Sequence, residues 1–217
     1  MSTQLPPSDR SRVRRGADLA HYDAAVVRAI IDDSYLCHVA FHDDAGVRCI
    51  PMACWREDDH LLIHGSNGSS MVRHLAAGAQ ACVTITHLDG LVLARSAFNH
   101  SMNYRSVVIH GCFEVVPAER KAELLDLFMD HIAPGRRHTA RPGDASELAA
   151  TTLLRMPLGD AAAKVRTGAP EDKEEDLGRD VWAGVLPIGV LRGAPLPDGL
   201  QRGEAPSYVR SWAGAGA

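Results

Sequence analysis

The sequence predicts a mainly β domain with peripheral helices, arranged as a closed antiparallel barrel. Short apolar segments of strand length recur along the chain, turn-forming residues separate them, and helical periodicity lies between or outside them. No strand–helix–strand rhythm is present, which argues against a parallel dinucleotide-binding sheet.

The elements follow in order. Residues 1–16 hold Pro, Ser and Arg without periodicity and read as a mobile arm. Leu19, Tyr22, Val26, Ile30 and Ile31 recur at helical spacing, predicting an amphipathic helix over 18–33. Strands are expected at 35–42, 47–55 and 60–64, an antiparallel meander with polar turns between. A Gly- and Ser-rich turn then leads into a short helix over 69–77, stopped by Gly78. Segments 80–87 and 91–98 read as a hairpin across Leu88-Asp89-Gly90. A long strand over 104–116 precedes Pro117, which opens a helix reaching about residue 132. A helix at 145–152, strands at 153–158 and 161–166, a solvated acidic loop at 171–176 and a last apolar strand at 181–188 complete a domain spanning 17–190. The Pro- and Gly-rich tail, 191–217, is expected to be loose.

Composition limits the function. A formal net charge of -4 does not suit a nucleic-acid binder, and the cluster Arg10, Arg12, Arg14 and Arg15 reads as part of a solvated arm. No apolar run approaches the ~18 residues of a membrane span, and the basic N-terminus lacks the apolar stretch of a signal peptide, so the expected location is the cytoplasm. Five cysteines without a C-x-x-C pair are expected as buried free thiols. The eleven histidines form no H-E-x-x-H pattern, and no metal site is expected.

Three segments could carry chemistry. At residues 63–71 a strand stops, a turn rich in Gly and hydroxyls follows, and a helix starts. Its amides with Ser66, Ser69 and Ser70 suit an anion such as phosphate, and an ordinary N-capped turn would look the same. Polar residues 100–106 begin an otherwise apolar strand, where Arg105 and Ser106 could hold the edges of a heteroaromatic ring shaped by Asn103 and Tyr104. Alternation places Lys164 and Arg166 on one strand face, with Trp182 downstream as a stacking plane; the two cations suit either an anionic ligand or the acidic loop.

The segments HVAFHDDAGVRCIPMACWREDDHLLIHGSNGSSMVRHL, CVTITHLDGLVLARSAFNHSMNYRSVVIHGCFEVV and AKVRTGAPEDKEEDLGRDVWAGVLPI resemble the pyridoxamine 5'-phosphate oxidase-like, FMN-binding split-barrel superfamily, nearest its nitroimidazole-resistance reductase branch. The resemblance implies a six-stranded split barrel, dimerised so that two FMN sites lie at the interface. It implies that His64, Gly65, Ser66, Asn67, Ser69, Ser70 and Met71 hold the phosphate and ribityl chain, that Tyr104, Arg105 and Ser106 approach the flavin ring, and that Lys164, Arg166 and Trp182 close the site, often from the second subunit. His64, Arg105 and Lys164 are then the candidates for polarising or protonating a small flat substrate. Ser70-Met71 stands where vitamin B6 oxidases carry an Arg-Lys pair, which implies an FMN-dependent oxidoreductase with another substrate and weaker FMN binding unless Arg73, Lys164 or Arg166 compensates. A non-catalytic haem- or flavin-binding barrel, with a histidine as haem ligand, is the alternative.

Overall fold

The computed structural model of the protein describes residues 7–200 and 202–212. In chain order the elements are β1 (Ala20–His21), α1 (Ala24–Asp32), β2 (Leu36–Asp43), β3 (Gly46–Ala53), β4 (Trp55–Glu57), β5 (His60–Ser66), α2 (Ser70–Ala76) and β6 (Gln80–Leu93). They continue with β7 (Ser101–Cys112), β8 (Glu114–Val115), α3 (Lys121–Ile132), α4 (Ala145–Ala150), β9 (Thr151–Pro157), β10 (Ala161–Arg166), β11 (Gly184–Pro187) and α5 (Ser207–Arg210). The strands form two antiparallel sheets: one of seven in the order β1-β10-β7-β6-β2-β3 with β11 also on β6, and one of four in the order β4-β5-β9-β8.

Both sheets turn apolar faces to one core. Val39, Phe41, Ile63, Val83, Ile85, Val107, Ile109 and Leu154 belong to it, together with α1 residues Val27, Ile30 and Ile31. The period-2 burial along these strands is what a one-sided sheet requires. A second, smaller core lies on the other face of the four-stranded sheet, where Trp55, Leu62 and Leu153 meet Leu124 of α3. This is the antiparallel split-barrel architecture. The expected closed barrel is not formed, because no ladder joins the two sheets among the described residues.

Several boundaries differ from the sequence expectation. Helix α1 starts only at Ala24, where Asp23 caps the Ala25 amide at 2.7 Å, because Ala20 and His21 are drawn into a ladder with Lys164 and Ala163. The expected hairpin at Asp89-Gly90 is instead one continuous strand, β6. Its pairing with β7 shifts by one residue between Leu88↔Tyr104 and Gly90↔Asn103, a bulge that absorbs Asp89. The link to β7 is the short 3-10 turn Ala97–Asn99. The acidic stretch is no solvated loop throughout: the Asp172 side chain and Asp176 are buried. Cys37 and Cys54 are buried thiols, whereas Cys49 is exposed and Cys82 and Cys112 are half-buried.

The ends are partly anchored. Ser11 is buried and Ser8 Oγ donates to Asp160 at 2.7 Å, while Tyr22 Oη accepts the Val13 amide. In the tail, Tyr208 Oη meets Thr139 Oγ1 at 3.1 Å, and the Arg192 guanidinium lies 4.6 Å over the Trp212 ring. Residues 1–6, 201 and 213–217 lie outside the described residues. Among the described residues, no helix is long and apolar enough to cross a membrane.

Candidate functional site

The turn at 63–71 is shaped by its own hydroxyls. Strand β5 runs to Ser66, whose carbonyl accepts the Ser69 amide at 2.9 Å and whose Oγ accepts the Gly68 amide at 3.2 Å. Ser69 then caps α2 by accepting the Val72 amide at 3.4 Å. Both hydroxyls act here as acceptors and keep their O–H hydrogens to donate. The amides of Ser70 and Met71, in the first turn of α2, have no acceptor among the described residues. Asn67 is turned away, its amide donating to Ala150 O and its Nδ2 to Ala149 O at 2.7 Å. The Met71 side chain points into the core, leaving its backbone to face the turn. Gly65 lets α2 approach, since a Cβ there would lie 2.7 Å from Val72 Cγ2.

Positive charge at the turn comes from Arg73, which the sequence offered beside Lys164 and Arg166 as a substitute for the missing Arg-Lys pair but not as a site residue in its own right. Its Nη1 donates to Gly68 O at 3.0 Å and to Asn67 O at 3.5 Å, holding an exposed guanidinium beside the free donors. The signal was available, because Arg73 stands one helical turn after the Ser69 cap.

His64 faces elsewhere. It shares the side of β5 that carries Leu62 and enters the second core, where its ring lies 5.0 Å from Phe128 and 5.7 Å from Trp55. Its Nδ1 is buried with no partner among the described residues, as is Trp55 Nε1. Burial pushes the His64 imidazole below its usual pKa and so favours the neutral ring. The cavity beside Phe128, about 280 Å³, has Leu125, Met129 and Leu148 in its wall and Arg137 and Arg141 among its polar groups.

Tyr104, Ser106, Lys164 and Arg166 are brought together by register, Lys164 opposite Ser106 and Arg166 opposite Tyr104. Ser106 and Lys164 lie on the outer face of the seven-stranded sheet, opposite the core face of Val107 and Ala163. Ser106 Oγ donates to Lys164 O at 3.3 Å; Lys164 Nζ donates to Arg15 O at 2.9 Å; Arg166 Nη1 donates to Asn103 Oδ1 at 2.5 Å. Arg105 is committed to ion pairs, with Nε and Nη2 each 3.0 Å from Asp89 and Nη1 2.5 Å from Asp33. Those carboxylates raise its pKa above the ordinary guanidinium value, so Arg105 serves as a staple between β7, the β6 bulge and the end of α1. Trp182 is 63% exposed. Among the described residues, no hydrogen bond or ion pair joins the 63–71 turn to Arg105, Lys164, Arg166 or Trp182.

A family model described as pyridoxamine 5'-phosphate oxidase matches residues 23–165. The chain belongs to that family. Among solved structures, this family member is 38% identical to the flavocytochrome Anf3 from Azotobacter vinelandii, with a TM-score of 0.89 over 96% of this chain and 99% of that one. It is 37% identical to an FAD and heme binding protein from Mycobacterium smegmatis, with a TM-score of 0.86 over 90% of this chain and 97% of the other. A putative 5-nitroimidazole antibiotic resistance protein from Bacteroides thetaiotaomicron VPI-5482 shares the fold at 22% identity and a TM-score of 0.57, over 67% of this chain and 86% of that one. No curated protein matches the chain.

Proposed function

We propose that the protein is a flavin-dependent oxidoreductase that holds the flavin phosphate at the 63–71 turn, in a homodimer whose second copy supplies Lys164, Arg166 and Trp182. The observation that carries this reading is the set of unused donors on one exposed turn: the amides of Ser70 and Met71 and the hydroxyls of Ser66 and Ser69, with the Arg73 guanidinium beside them. These groups fit a phosphate without the Arg-Lys pair of vitamin B6 oxidases. A bound flavin would supply the hydride and electron chemistry, and the chain's part is to fix its phosphate and orient its ring. Lys164 carries the proposed proton-donating role toward a small flat substrate, since Arg105 is held by two carboxylates and His64 faces the second core.

The proposed flavin is FAD in place of the FMN expected from sequence, because one relative at 37% identity is described as an FAD and heme binding protein. Purified protein should be yellow, with the two visible bands of oxidised flavin, and release FAD by mass spectrometry. Released FMN would correct the nucleotide. Colourless protein that takes up neither FAD nor FMN in a fluorescence titration would overturn the flavin reading.

A second reading, haem bound through His64, is favoured by the unpartnered Nδ1 and by burial that favours the neutral imidazole, with a cavity lined by the neighbouring Phe128. It predicts a Soret band in protein supplied with haem, lost in His64→Ala; a band that survives the substitution rules His64 out as the ligand.

A further inference from the structure

The acidic run at 171–176 folds in a way its composition does not suggest. Asp172 turns inward, its side chain 1% exposed, and its carboxylate accepts from the Arg95 amide at 2.8 Å, the Ser96 amide at 3.4 Å and Arg95 Nη1 at 3.0 Å. Burial alone would raise this carboxyl's pKa; the bonds from Arg95 and Ser96 outweigh it and keep the group ionised. One buried anion thereby joins two backbone stretches 76 to 77 residues apart in sequence.

Each stretch presents an aromatic ring to solvent. Ser96 caps the Ala97–Asn99 turn: its Oγ accepts the Phe98 amide at 3.3 Å and its carbonyl accepts the Asn99 amide at 3.1 Å. His100 Nδ1 lies 2.9 Å from the same carbonyl. Phe98 is thus carried on a fixed turn with 91% of its surface exposed. The other stretch leaves the sheet at Arg166, tied to Asn103 and Ala169, and returns at Gly184, paired with Leu93. Trp182 folds back against Gly184, where a Cβ would lie 2.9 Å from its six-membered ring. Large rings held in water on backbone this firmly fixed suit a site that a flat ligand completes.

We propose that Asp172 is a positioning residue for the flavin ring: it fastens the Trp182 segment to the Phe98 turn, so that the two rings form one fixed aromatic wall. The inference rests on the flavin reading above. In the proposed homodimer a single flavin would meet the turn of one copy and the wall of the other.

FAD titrated into the full-length protein, followed by flavin fluorescence, tests this. Asp172→Asn, Phe98→Leu and Trp182→Leu should each weaken binding by roughly tenfold. The Asp172→Asn/Trp182→Leu double variant should bind no more weakly than Trp182→Leu alone, since Asp172 acts through that ring. Without ligand, Asp172→Asn should speed hydrogen exchange at the Arg95 and Ser96 amides by roughly tenfold or more. Asp172→Glu, which keeps the charge, should recover part of the affinity and so separates positioning from misfolding. Wild-type affinity in Asp172→Asn, or losses that multiply in the double variant, overturns the positioning role alone. A wild-type protein that takes up no flavin overturns the flavin reading, and the wall with it.

Discussion

His64 has the most unusual surroundings of any single residue here: a half-buried imidazole between Trp55 and Phe128 with one nitrogen unpaired. Burial lowers its native pKa, so below about pH 6.5 the unfolded chain binds the proton more readily than the native one. The stability this group confers is complete above about 6.5 and is lost as pH falls from there through the native pKa. His64→Phe, measured without added cofactor by urea unfolding at about pH 7 and about pH 5, should lose less stability on acidification than wild type. Equal losses would show that His64 takes up its proton as readily in the native state as in the unfolded chain. His110, lowered by burial and then by Arg10, adds a contribution of the same sign, so a His64→Phe/His110→Phe pair should lose still less on acidification than His64→Phe alone.

Among elements, two glycines let strands and helices approach where a side chain has no room. Gly90 follows the β6 bulge, and a Cβ there would lie 3.0 Å from Val185 Cγ1 and 3.1 Å from the Leu186 carbonyl oxygen of β11. Gly90→Ala should therefore cost about 1–3 kcal/mol in urea unfolding and loosen β11, seen as faster amide exchange over Gly184–Pro187. Gly65→Ala should instead push α2 off β5 through the 2.7 Å contact with Val72, lowering flavin uptake more than it lowers stability. An uptake unchanged in Gly65→Ala would mean that the spacing between turn and helix does not matter for binding. Each glycine thus has its own readout.

At the scale of the whole molecule, the outer side of the seven-stranded sheet at β2 and β3 is uncovered among the described residues. Leu36 is 56% and Val47 82% exposed on the outer side of the seven-stranded sheet, with His38, Ala40, His42, Cys49 and Pro51 on the same side in register. A sheet face with exposed apolar side chains among a few histidines is what the proposed homodimer would bury, at about 800 Å² per copy for a standard interface. Sedimentation should give twice the 23.4 kDa chain mass, and Ala40→Arg at the centre of the face should return the monomer with its fold intact. Alkylation of Cys49 should slow as the protein concentration rises. A monomeric wild type would remove the dimer and the shared site with it.

Much of the fold is legible along the chain because it rests on local rules. Alternating apolar residues, the Ser69 cap and the polar turns mark β2, β3, β5 and α2 to within a residue or two, and the HGS turn with the NYRSVVIHG strand marks the family. Long-range partners decided the rest. A turn signal at Asp89-Gly90 yielded to ladders with β7 and β11 on either side, and Arg105 was claimed by Asp33 and Asp89, which lie far away or across the bulge. Asp172, in a run whose composition reads as solvated, became a buried tether because Arg95 and Ser96 present three donors to it. The sequence alone determined which segments become strands and which turn can hold an anion, since those follow from the period and caps of neighbouring residues. Only the tertiary structure decided which charges are already paired and which rings face water, because those depend on groups brought together from distant parts of the chain.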